Sequence, residues 1–349
     1  MIYHSPYPEV EIPIISLTPF ILRHAARLGD KPALIDGLSG RTLTYGQLAD
    51  GVRRVASSLA RRGFRKGDTF ATVCPSVPEL ALALYGVATL GGATTTLNPL
   101  FTAGEMHSQL ADSGARFLLT VPERLATVRE AVAGTRIEDI FVLGEVDGTT
   151  PFQSLLQHGG PLPSVAISPA EDTVVLPYSS GTTGRAKGVM LTHRNLIAAV
   201  LTRRQMLPSP EDDTVVSVSP LFHIAGISVL NAYLHAGATV VLMPRFDLQT
   251  LLQLLQQYRA TRVALPPPIA LELSRHSMVA EYDLSRLGLM LWGAAPMDEA
   301  VAHACRERLG CRVKQCYGLT EASGMTHVVP MDAEDRPRSA GLPWPAQST

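Results

Sequence analysis

The sequence contains few cysteines, few charged residues and almost no net charge. Its four cysteines, Cys74, Cys305, Cys311 and Cys316, form no Cys-x-x-Cys pair, which argues against a disulfide framework or a zinc site. Charged residues make up 17% of the 349 residues, and the formal net charge is −1. This balance argues against nucleic acid or an acidic membrane as the main partner. The composition also excludes a disordered, collagen-like or coiled-coil chain.

The N-terminus lacks the basic and apolar regions of a signal peptide, and Glu9 and Glu11 stand where such a peptide would be apolar. Two stretches, residues 80–104 and 214–244, contain no Asp, Glu, Lys or Arg. Each is long enough to span a membrane, but Gly, Pro, Asn or His interrupts it, so we interpret both as buried helix and strand. We therefore predict a cytoplasmic protein without a membrane span.

Strand and helix periods alternate along the chain, which is typical of βαβ units. The predicted strands are 32–36, 68–74, 93–97, 115–120, 139–143, 173–178, 214–219, 238–243, 262–265, 289–291 and 312–316. The predicted helices are 44–62, 78–90, 104–113, 122–133, 193–205, 226–234, 247–258 and 298–308. We expect an α/β fold of two packed βαβ subdomains, 1–170 and 171–335, with mostly parallel sheets covered by helices and a ligand groove between them.

The strongest local signal is a loop rich in hydroxyl groups and glycine, at residues 178–188, with the sequence YSSGTTGRAKG. A strand enters this loop and a helix follows it. Such a backbone can present several N–H groups to an anion, and Lys187 adds a positive charge suited to phosphate. The loop does not fit the G-x-x-x-x-G-K-[ST] pattern, because Ala186 and Gly188 stand at two required positions. On its own, it could equally be a flexible surface loop.

Further blocks in a fixed order make the pattern specific. The segment YSSGTTGRAKGVMLTHRNL resembles the phosphate-binding signature of the adenylate-forming superfamily, which includes acyl-CoA synthetases, luciferases and peptide-synthetase adenylation domains. Other segments resemble further blocks of that superfamily: PLFHIAG at 220–226, GAAP at 293–296, QCYGLTEA at 315–322 and SAGLP at 339–343. The resemblance covers nearly the whole chain and implies the fold of that superfamily's large N-terminal domain.

The resemblance implies that a carboxylic acid is joined to the α-phosphorus of ATP, with Mg²⁺ as cofactor and release of pyrophosphate. In acyl-CoA synthetases the acyl group then passes to CoA. Positioning and charge neutralisation dominate such chemistry, since two anions must meet.

The resemblance implies roles for individual residues. The phosphate-binding residues would be Ser179, Ser180, Gly181, Thr182, Thr183, Gly184 and Lys187. Glu321 would bind Mg²⁺, and Thr320 would donate to the α-phosphate. The adenine would meet Gly293, Ala294, Ala295, Pro296 and Tyr317. His223 would contact the acid's carboxylate, without acting as a general base, because the acid is already ionised at neutral pH. Taken singly, Glu321 would be a surface charge, and Tyr317 and His223 core residues.

We predict an acyl pocket formed by His223, Ala225, Gly226, Ser228, Trp292, Cys316, Gly318 and Met325. Trp292 departs from relatives of 4-coumarate–CoA ligase, which often have a small residue before the GAAP block. The predicted pocket carries no obvious buried Arg or Lys for a second carboxylate and no Asp for an α-ammonium group, which disfavours dicarboxylates and amino acids. These features favour an apolar or aromatic monocarboxylic acid. An apolar pocket discriminates by only roughly 1–3 kcal/mol per methylene, so the pattern indicates a class of acid.

The last residues, 336–349, resemble the start of a further β-rich subdomain. The superfamily's ribose-binding Asp, its hinge and its C-terminal lid domain with a catalytic Lys would follow. We therefore expect the 349-residue form to be impaired in adenylation.

Three functions remain open from the sequence. The first is an acid–thiol ligase that uses CoA, the second an adenylating protein that loads a carrier protein, and the third a non-catalytic module that binds an acyl-adenylate. A Walker-type ATPase is disfavoured, because the Lys-Ser/Thr step is missing.

Overall fold

The computed structural model describes residues 5–157, 159–179, 186–334, 339–345 and 347–348. Its strands are β1 Val10–Glu11, β2 Pro32–Asp36, β3 Thr42–Thr44, β4 Thr69–Val73, β5 Ala93–Thr96, β6 Phe117–Thr120, β7 Asp139–Val142, β8 Thr150–Pro151, β9 Thr173–Val175, β10 Tyr178–Ser179, β11 Lys187–Gly188, β12 Leu191–Thr192, β13 Thr214–Ser217, β14 Thr239–Leu242, β15 Arg262–Leu265, β16 Leu289–Trp292, β17 Arg312–Leu319, β18 Gly324–Val328, β19 Leu342–Pro343 and β20 Gln347–Ser348.

Its helices are α1 Leu17–Ile21, α2 Tyr45–Arg61, α3 Pro78–Thr89, α4 Ala103–Ser113, α5 Leu125–Ala131, α6 His193–Met206, α7 Ile224–Ala236, α8 Leu248–Gln257, α9 Pro267–Arg275 and α10 Glu299–Leu309. Short 3₁₀ helices lie at Pro122–Arg124, Phe152–Leu155, Ser277–Glu281 and Thr320–Ala322.

Two mostly parallel sheets organise the chain. Sheet A has the strand order β12–β9–β5–β4–β6–β7–β8, and sheet B the order β19–β18–β17–β16–β15–β13–β14–β2–β3. Antiparallel pairing is confined to the margins of the sheets, as where β12 joins β9 and β18 joins β17. Helices connect the parallel strands, as crossover connections require. The predicted α/β fold is confirmed.

The two halves of the chain exchange strands. β2 pairs in parallel with β14, so residues near the N-terminus extend sheet B. Conversely, β9 pairs in parallel with β5 and belongs to sheet A. The boundary expected near residue 170 therefore does not separate the two sheets, because the hydrophobic strands pair across it. At the other end, β19 pairs with β18 and continues sheet B.

Apolar side chains form one large core between the sheets and two smaller cores on their other faces. The large core includes Tyr45, Tyr85 and Tyr233, which are at most 1% exposed. Helix α2 enters it through a capping box, in which the Thr44 hydroxyl accepts from the Gln47 N–H and the Gln47 side chain accepts from the Thr44 N–H. No helix of the residues covered by the structure combines the length and apolarity needed to cross a membrane.

The alternation of side chains along β16 shows that Trp292 does not lie in the predicted acyl pocket. Successive residues of a strand point to opposite faces, so Leu291 packs in the large core while Met290 and Trp292 pack in the core on the far face of sheet B. Trp292 is 6% exposed and contributes to this second core. Its placement in the acyl pocket was wrong, because the register of the strand turns it away.

We expect Trp292→Ala to destabilise the protein. Removing a buried indole leaves a cavity, and such changes cost about 3–5 kcal/mol of unfolding free energy. Urea denaturation would measure the loss. Leu38→Ala serves as the control, because Leu38 is 64% exposed and should change the free energy by less than about 0.5 kcal/mol. A change below about 1 kcal/mol for Trp292→Ala would contradict its placement in the core.

Two histidines are sealed in the large core in their neutral form. The Nδ1 of His193 accepts a hydrogen bond from the Leu17 N–H at 3.0 Å, and His235 stacks on Phe20 with ring centres 4.0 Å apart. Both are 0% exposed. Burial lowers the pKa of each from the usual 6.5 to about 4. Protonating either ring would place a charge among apolar side chains.

The unfolding free energy should therefore fall as the pH drops. Between pH 6.5 and about 4, these histidines are protonated in the unfolded chain but not in the native one, so stability declines with decreasing pH. Urea denaturation across this window would show it. His193→Asn should flatten the dependence, while His303→Gln, at an exposed position, should leave it unchanged. An identical pH profile for His193→Asn and the parent would contradict this assignment.

Candidate active site

A cavity of about 1090 Å³ lies where the carboxyl ends of the sheet B strands meet the edge of sheet A. Parallel strands end at a common edge, and ligands of open α/β sheets bind there. Sheet A contributes Thr96, the last residue of β5, the segment after β5 contributes Asn98, and α4 contributes Gln109. The lining residues that bear on its chemistry are Ser179, Lys187, Arg203, His223, Ala225, Ser228, Gly293, Ala294, Cys316, Tyr317, Gly318, Thr320, Glu321 and Met325.

One wall is formed by the two ends of the predicted phosphate loop. β10 and β11 pair in an antiparallel hairpin, in which Ser179 stands opposite Lys187. Both residues line the cavity, and Lys187 is exposed. Within the described ranges, no carboxylate lies within ion-pair distance of Lys187. The predicted phosphate ligands Ser180, Gly181, Thr182, Thr183 and Gly184 lie outside the described residues.

Glu321 faces this hairpin from a short 3₁₀ helix at Thr320–Ala322, which follows β17 directly. Hydrogen bonds from its own backbone N–H and from the Ser179 hydroxyl lower the pKa of Glu321 below its usual value. The carboxylate is exposed to the cavity and stays ionised at neutral pH. Thr320 also lines the cavity. Lys187 and Glu321 thus share one cavity, as the sequence pattern predicted.

The GAAP turn approaches the cavity through its first half. Gly293 and Ala294 line it, whereas Ala295 and Pro296 are exposed and do not. A Cβ at Gly293 would lie 2.6 Å from the Cys316 Sγ, so only glycine permits this approach. Ala294 has φ = 70°, a left-handed conformation that is strained for alanine. The backbone of this turn is therefore held against the cavity at an energetic cost.

Tyr317 offers a flat apolar surface beside this turn. It lines the cavity and is 53% exposed, and its ring contacts that of His327 edge to face, with centres 5.9 Å apart. A large exposed aromatic ring with a fixed orientation is suited to stacking on a planar ligand.

His223 lines the cavity at the start of helix α7. It is the N-cap of α7, where its Nδ1 accepts the Ala225 N–H at 3.1 Å. The neutral ring therefore carries its proton on Nε2. Desolvation by the surrounding walls lowers the pKa of His223 below its usual value, although the ring is exposed to the cavity itself. His223 therefore places a neutral N–H donor, its Nε2–H, at the cavity wall.

Most of the predicted acyl-pocket residues line the cavity. They are His223, Ala225, Ser228, Cys316, Gly318 and Met325. Gly226 does not, because it is buried in the first turn of α7, where a Cβ would lie 2.2 Å from the Pro220 carbonyl oxygen. The prediction that Gly226 lines the pocket was wrong. This glycine instead lets the backbone of α7 approach the Pro220 carbonyl closely. Trp292 lies on the far face of sheet B, as described above.

Arg203 was not predicted as a site residue. The expectation that the pocket has no buried Arg or Lys was therefore wrong. Arg203 lines the cavity from α6 and is 2% exposed. A signal was present: Leu196, Val200, Arg203 and Met206 recur at helical spacing and are all buried. A charged residue on the apolar stripe of a helix marks a buried charge, whose place inside the fold requires a reason.

The sequence matches the model of the AMP-binding enzyme family over residues 21–349. The protein therefore belongs to the AMP-binding enzyme family. Within it, the sequence is similar to acid–thiol ligases that use CoA.

Two curated relatives illustrate the similarity. 4-Coumarate–CoA ligase 3 of Oryza sativa subsp. japonica is 37% identical over 329 residues, which cover 92% of this chain and 59% of that protein. 4-Coumarate–CoA ligase 1 of Petroselinum crispum is 34% identical over 330 residues, covering 92% of this chain and 60% of that protein. The chain therefore spans about three fifths of the length of these relatives.

Solved structures share the fold. The long-chain-fatty-acid–CoA ligase FadD1 of Archaeoglobus fulgidus superposes with a TM-score of 0.90 at 26% identity, covering 98% of this chain and 72% of that one. The anthranilate–CoA ligase AuaEII, solved with anthranoyl-AMP, gives a TM-score of 0.89 at 24% identity, covering 95% of this chain and 65% of that one.

We predict that Gly318→Ala disrupts the cavity wall. A Cβ there would lie 1.9 Å from the Gly324 carbonyl oxygen, so β17 and β18 would have to separate. Overpacking of this kind costs about 1–3 kcal/mol. Thermal unfolding would report the loss. Gly104→Ala in α4 is the control, since nothing lies within 4 Å of its Cβ. It should be neutral or stabilising by up to about 1 kcal/mol. Equal stability of both variants would contradict this reasoning.

Proposed function

We propose that this chain carries the nucleotide- and acid-binding site of an acyl-CoA ligase. The site would activate a carboxylic acid with ATP, and the complete protein would pass the acyl group to CoA. The observation that carries this proposal is the convergence of Ser179, Lys187 and Glu321 on one cavity.

In the proposed reaction, a carboxylate oxygen of the acid attacks the α-phosphorus of ATP. The bond from that phosphorus to the bridging oxygen of the β-phosphate breaks, and pyrophosphate leaves with the electron pair. Lys187, together with the loop residues Thr182 and Thr183, would hold the β- and γ-phosphates. Thr320 would donate to the α-phosphate. These donors neutralise the charge that otherwise keeps the two anions apart.

Glu321 is suited to a magnesium ion that takes most of its ligands from phosphate and water. The residues of the described ranges contain no group of three or more His, Cys, Asp or Glu side chains that could hold a metal. A single ionised carboxylate beside a phosphate site is the protein contribution that nucleotide-bound Mg²⁺ typically needs. When bound, the ion would neutralise phosphate charge, and Ser179 would fix the carboxylate that receives it.

The other lining residues would orient the two substrates. The adenine would stack on Tyr317 and meet the backbone at Gly293 and Ala294. His223 would donate from Nε2 to the carboxylate of the acid. Cys316, Gly318 and Met325 give the acyl side an apolar and narrow wall, which favours an acid with an apolar or aromatic body.

The proposed transfer of the acyl group to CoA is inferred from similarity to relatives that are longer than this chain. The curated relatives are CoA ligases, which favours CoA over a carrier protein as the acceptor. Reduced adenylation by the 349-residue form stays a prediction.

Lys187→Ala and Glu321→Gln should both weaken the binding of Mg·ATP to this chain. Each removes one charged contact to phosphate or to its metal, which lowers affinity by roughly 10- to 100-fold. In acid-dependent ATP–pyrophosphate exchange, loss of such a contact lowers the rate by roughly 10²–10³-fold. Titration calorimetry with and without Mg²⁺ measures the first effect, and Glu321→Gln should also abolish the gain in affinity that Mg²⁺ gives.

Glu130→Gln is the matched control, because this exposed carboxylate on α5 lies outside the cavity. It should retain the parent affinity and magnesium dependence. Effects smaller than threefold at both Lys187 and Glu321 would refute the proposed site.

A further inference from the structure

Among the residues that the structure describes, two arginines are almost fully buried, and they differ in their partners. Arg262 is 7% exposed and forms a 2.6 Å ion pair with Asp213, which is 6% exposed. Arg203 is 2% exposed, yet no ion pair among the described residues includes it. A buried charge without a counter-charge is costly, so its retention in a core position calls for a partner.

The contacts of Arg203 fix the position of its guanidinium but use only one of its N–H donors. Its Nη2 donates to the Tyr233 hydroxyl oxygen at 3.0 Å, and its guanidinium carbon lies 4.6 Å from the centre of the Tyr233 ring. Tyr233 is 1% exposed and rigid in the core. A guanidinium has five N–H donors, and this hydrogen bond uses one of them. Tyr233 therefore orients the fork while most of its donors stay available.

Arg203 lines the cavity. The guanidinium nitrogens that do not bind Tyr233 are not fully buried, since none of them is among the fully buried polar atoms of the described residues that lack a partner. Helix α6, which carries Arg203, packs against α7 and β18, and these elements bear the lining residues Ser228 and Met325. The guanidinium therefore lies on that side of the cavity.

Arg203 lies well away from His223 along α7, because it bonds Tyr233 near the end of that helix. His223, at the start of α7, would receive the carboxylate that reacts. Tyr233 lies ten residues further along, a rise of about 15 Å. Side chains tilt toward the helix N-terminus, so the guanidinium on Tyr233 lies somewhat closer. Between the two ends, the wall is formed by Ser228, Val229 and Met325.

We propose that Arg203 recognises a second carboxylate at the distal end of the acid, so that the substrate class is a dicarboxylic acid with an apolar or aromatic middle. The inference rests on the proposed function, because it takes the cavity to be the acid site. Arginine binds carboxylates through two parallel N–H bonds, and its planar fork is already fixed by Tyr233. The earlier expectation of a monocarboxylic acid followed from the absence of such a cation.

Three cinnamates that differ only at the para position test the proposal by titration calorimetry on this chain, in the presence of saturating AMP. They are 4-carboxycinnamate, 4-nitrocinnamate, which is isosteric but neutral at that position, and 4-isopropylcinnamate, which is apolar. The parent should bind the dicarboxylate roughly 10- to 100-fold more tightly than the isopropyl compound. Equal affinities for the carboxy and nitro compounds would overturn the proposal, since charge would then not be recognised.

Arg203→Met should remove the preference while retaining volume, and Arg204→Met is the matched control. Arg204 is the next residue of the same helix, but it is exposed and lies outside the cavity. Arg204→Met should therefore keep the full preference. A preference that survives Arg203→Met would overturn the proposal. Circular dichroism and the AMP affinity of each variant show whether the fold and nucleotide site are intact.

Two further variants keep the test decisive if Arg203→Met does not fold. Arg203→Lys retains the charge but loses the planar fork, and Tyr233→Phe removes the hydroxyl that orients it. Each should lower the preference for the dicarboxylate by several-fold without changing the affinity for 4-isopropylcinnamate. An unchanged preference in both would overturn the proposal. Failure of the proposed function would look different: AMP, Mg·ATP and all three acids would then fail to bind even to the parent chain.

Discussion

The site depends on the meeting of two segments, the β10–β11 hairpin and the Thr320–Ala322 helix, which bring Ser179, Lys187 and Glu321 to one cavity. One segment leads into the phosphate loop, and the other follows the last parallel strand of sheet B. Under the proposed function both segments are needed, since the first would supply cationic and hydroxyl groups and the second would supply the metal ligand. The contact with Ser179 helps to hold the pKa of Glu321 below its usual value, so the carboxylate stays ionised.

The order of elements could be predicted from the sequence because local patterns determine it. Helix α2 has an apolar stripe and a capping box, so the predicted 44–62 is close to the observed Tyr45–Arg61. Helix α9, Pro267–Arg275, was missed, although proline is favoured in the first turn of a helix. β18 was missed because it pairs as an antiparallel strand at the end of the site, where glycine and polar residues obscure the strand period.

The pairing of strands that lie far apart in the sequence could not be predicted from these local patterns. Nothing local to β2 indicates that it lies beside β14, and its partner is set by which apolar surfaces meet. The same holds for Trp292, which stands beside the GAAP block in sequence but on the far face of sheet B in space. Motifs were enough to bring Lys187, His223 and Glu321 to one cavity, whereas the faces of Trp292, Gly226 and Arg203 required the fold. Arg203 could not be found from composition, because one buried arginine does not change the overall fraction of charged residues.

Two glycines beside the cavity limit where its lining can vary. A Cβ at Gly318 would lie 1.9 Å from the Gly324 carbonyl oxygen, and a Cβ at Gly293 would lie 2.6 Å from the Cys316 Sγ, so a side chain at either position requires a neighbour to move. The width of the cavity is therefore set mainly at positions whose side chains already line it, such as Ser228, Cys316 and Met325. Under the proposed function, redesign toward bulkier or slimmer acids would act at those three positions, while the two glycines stay unchanged.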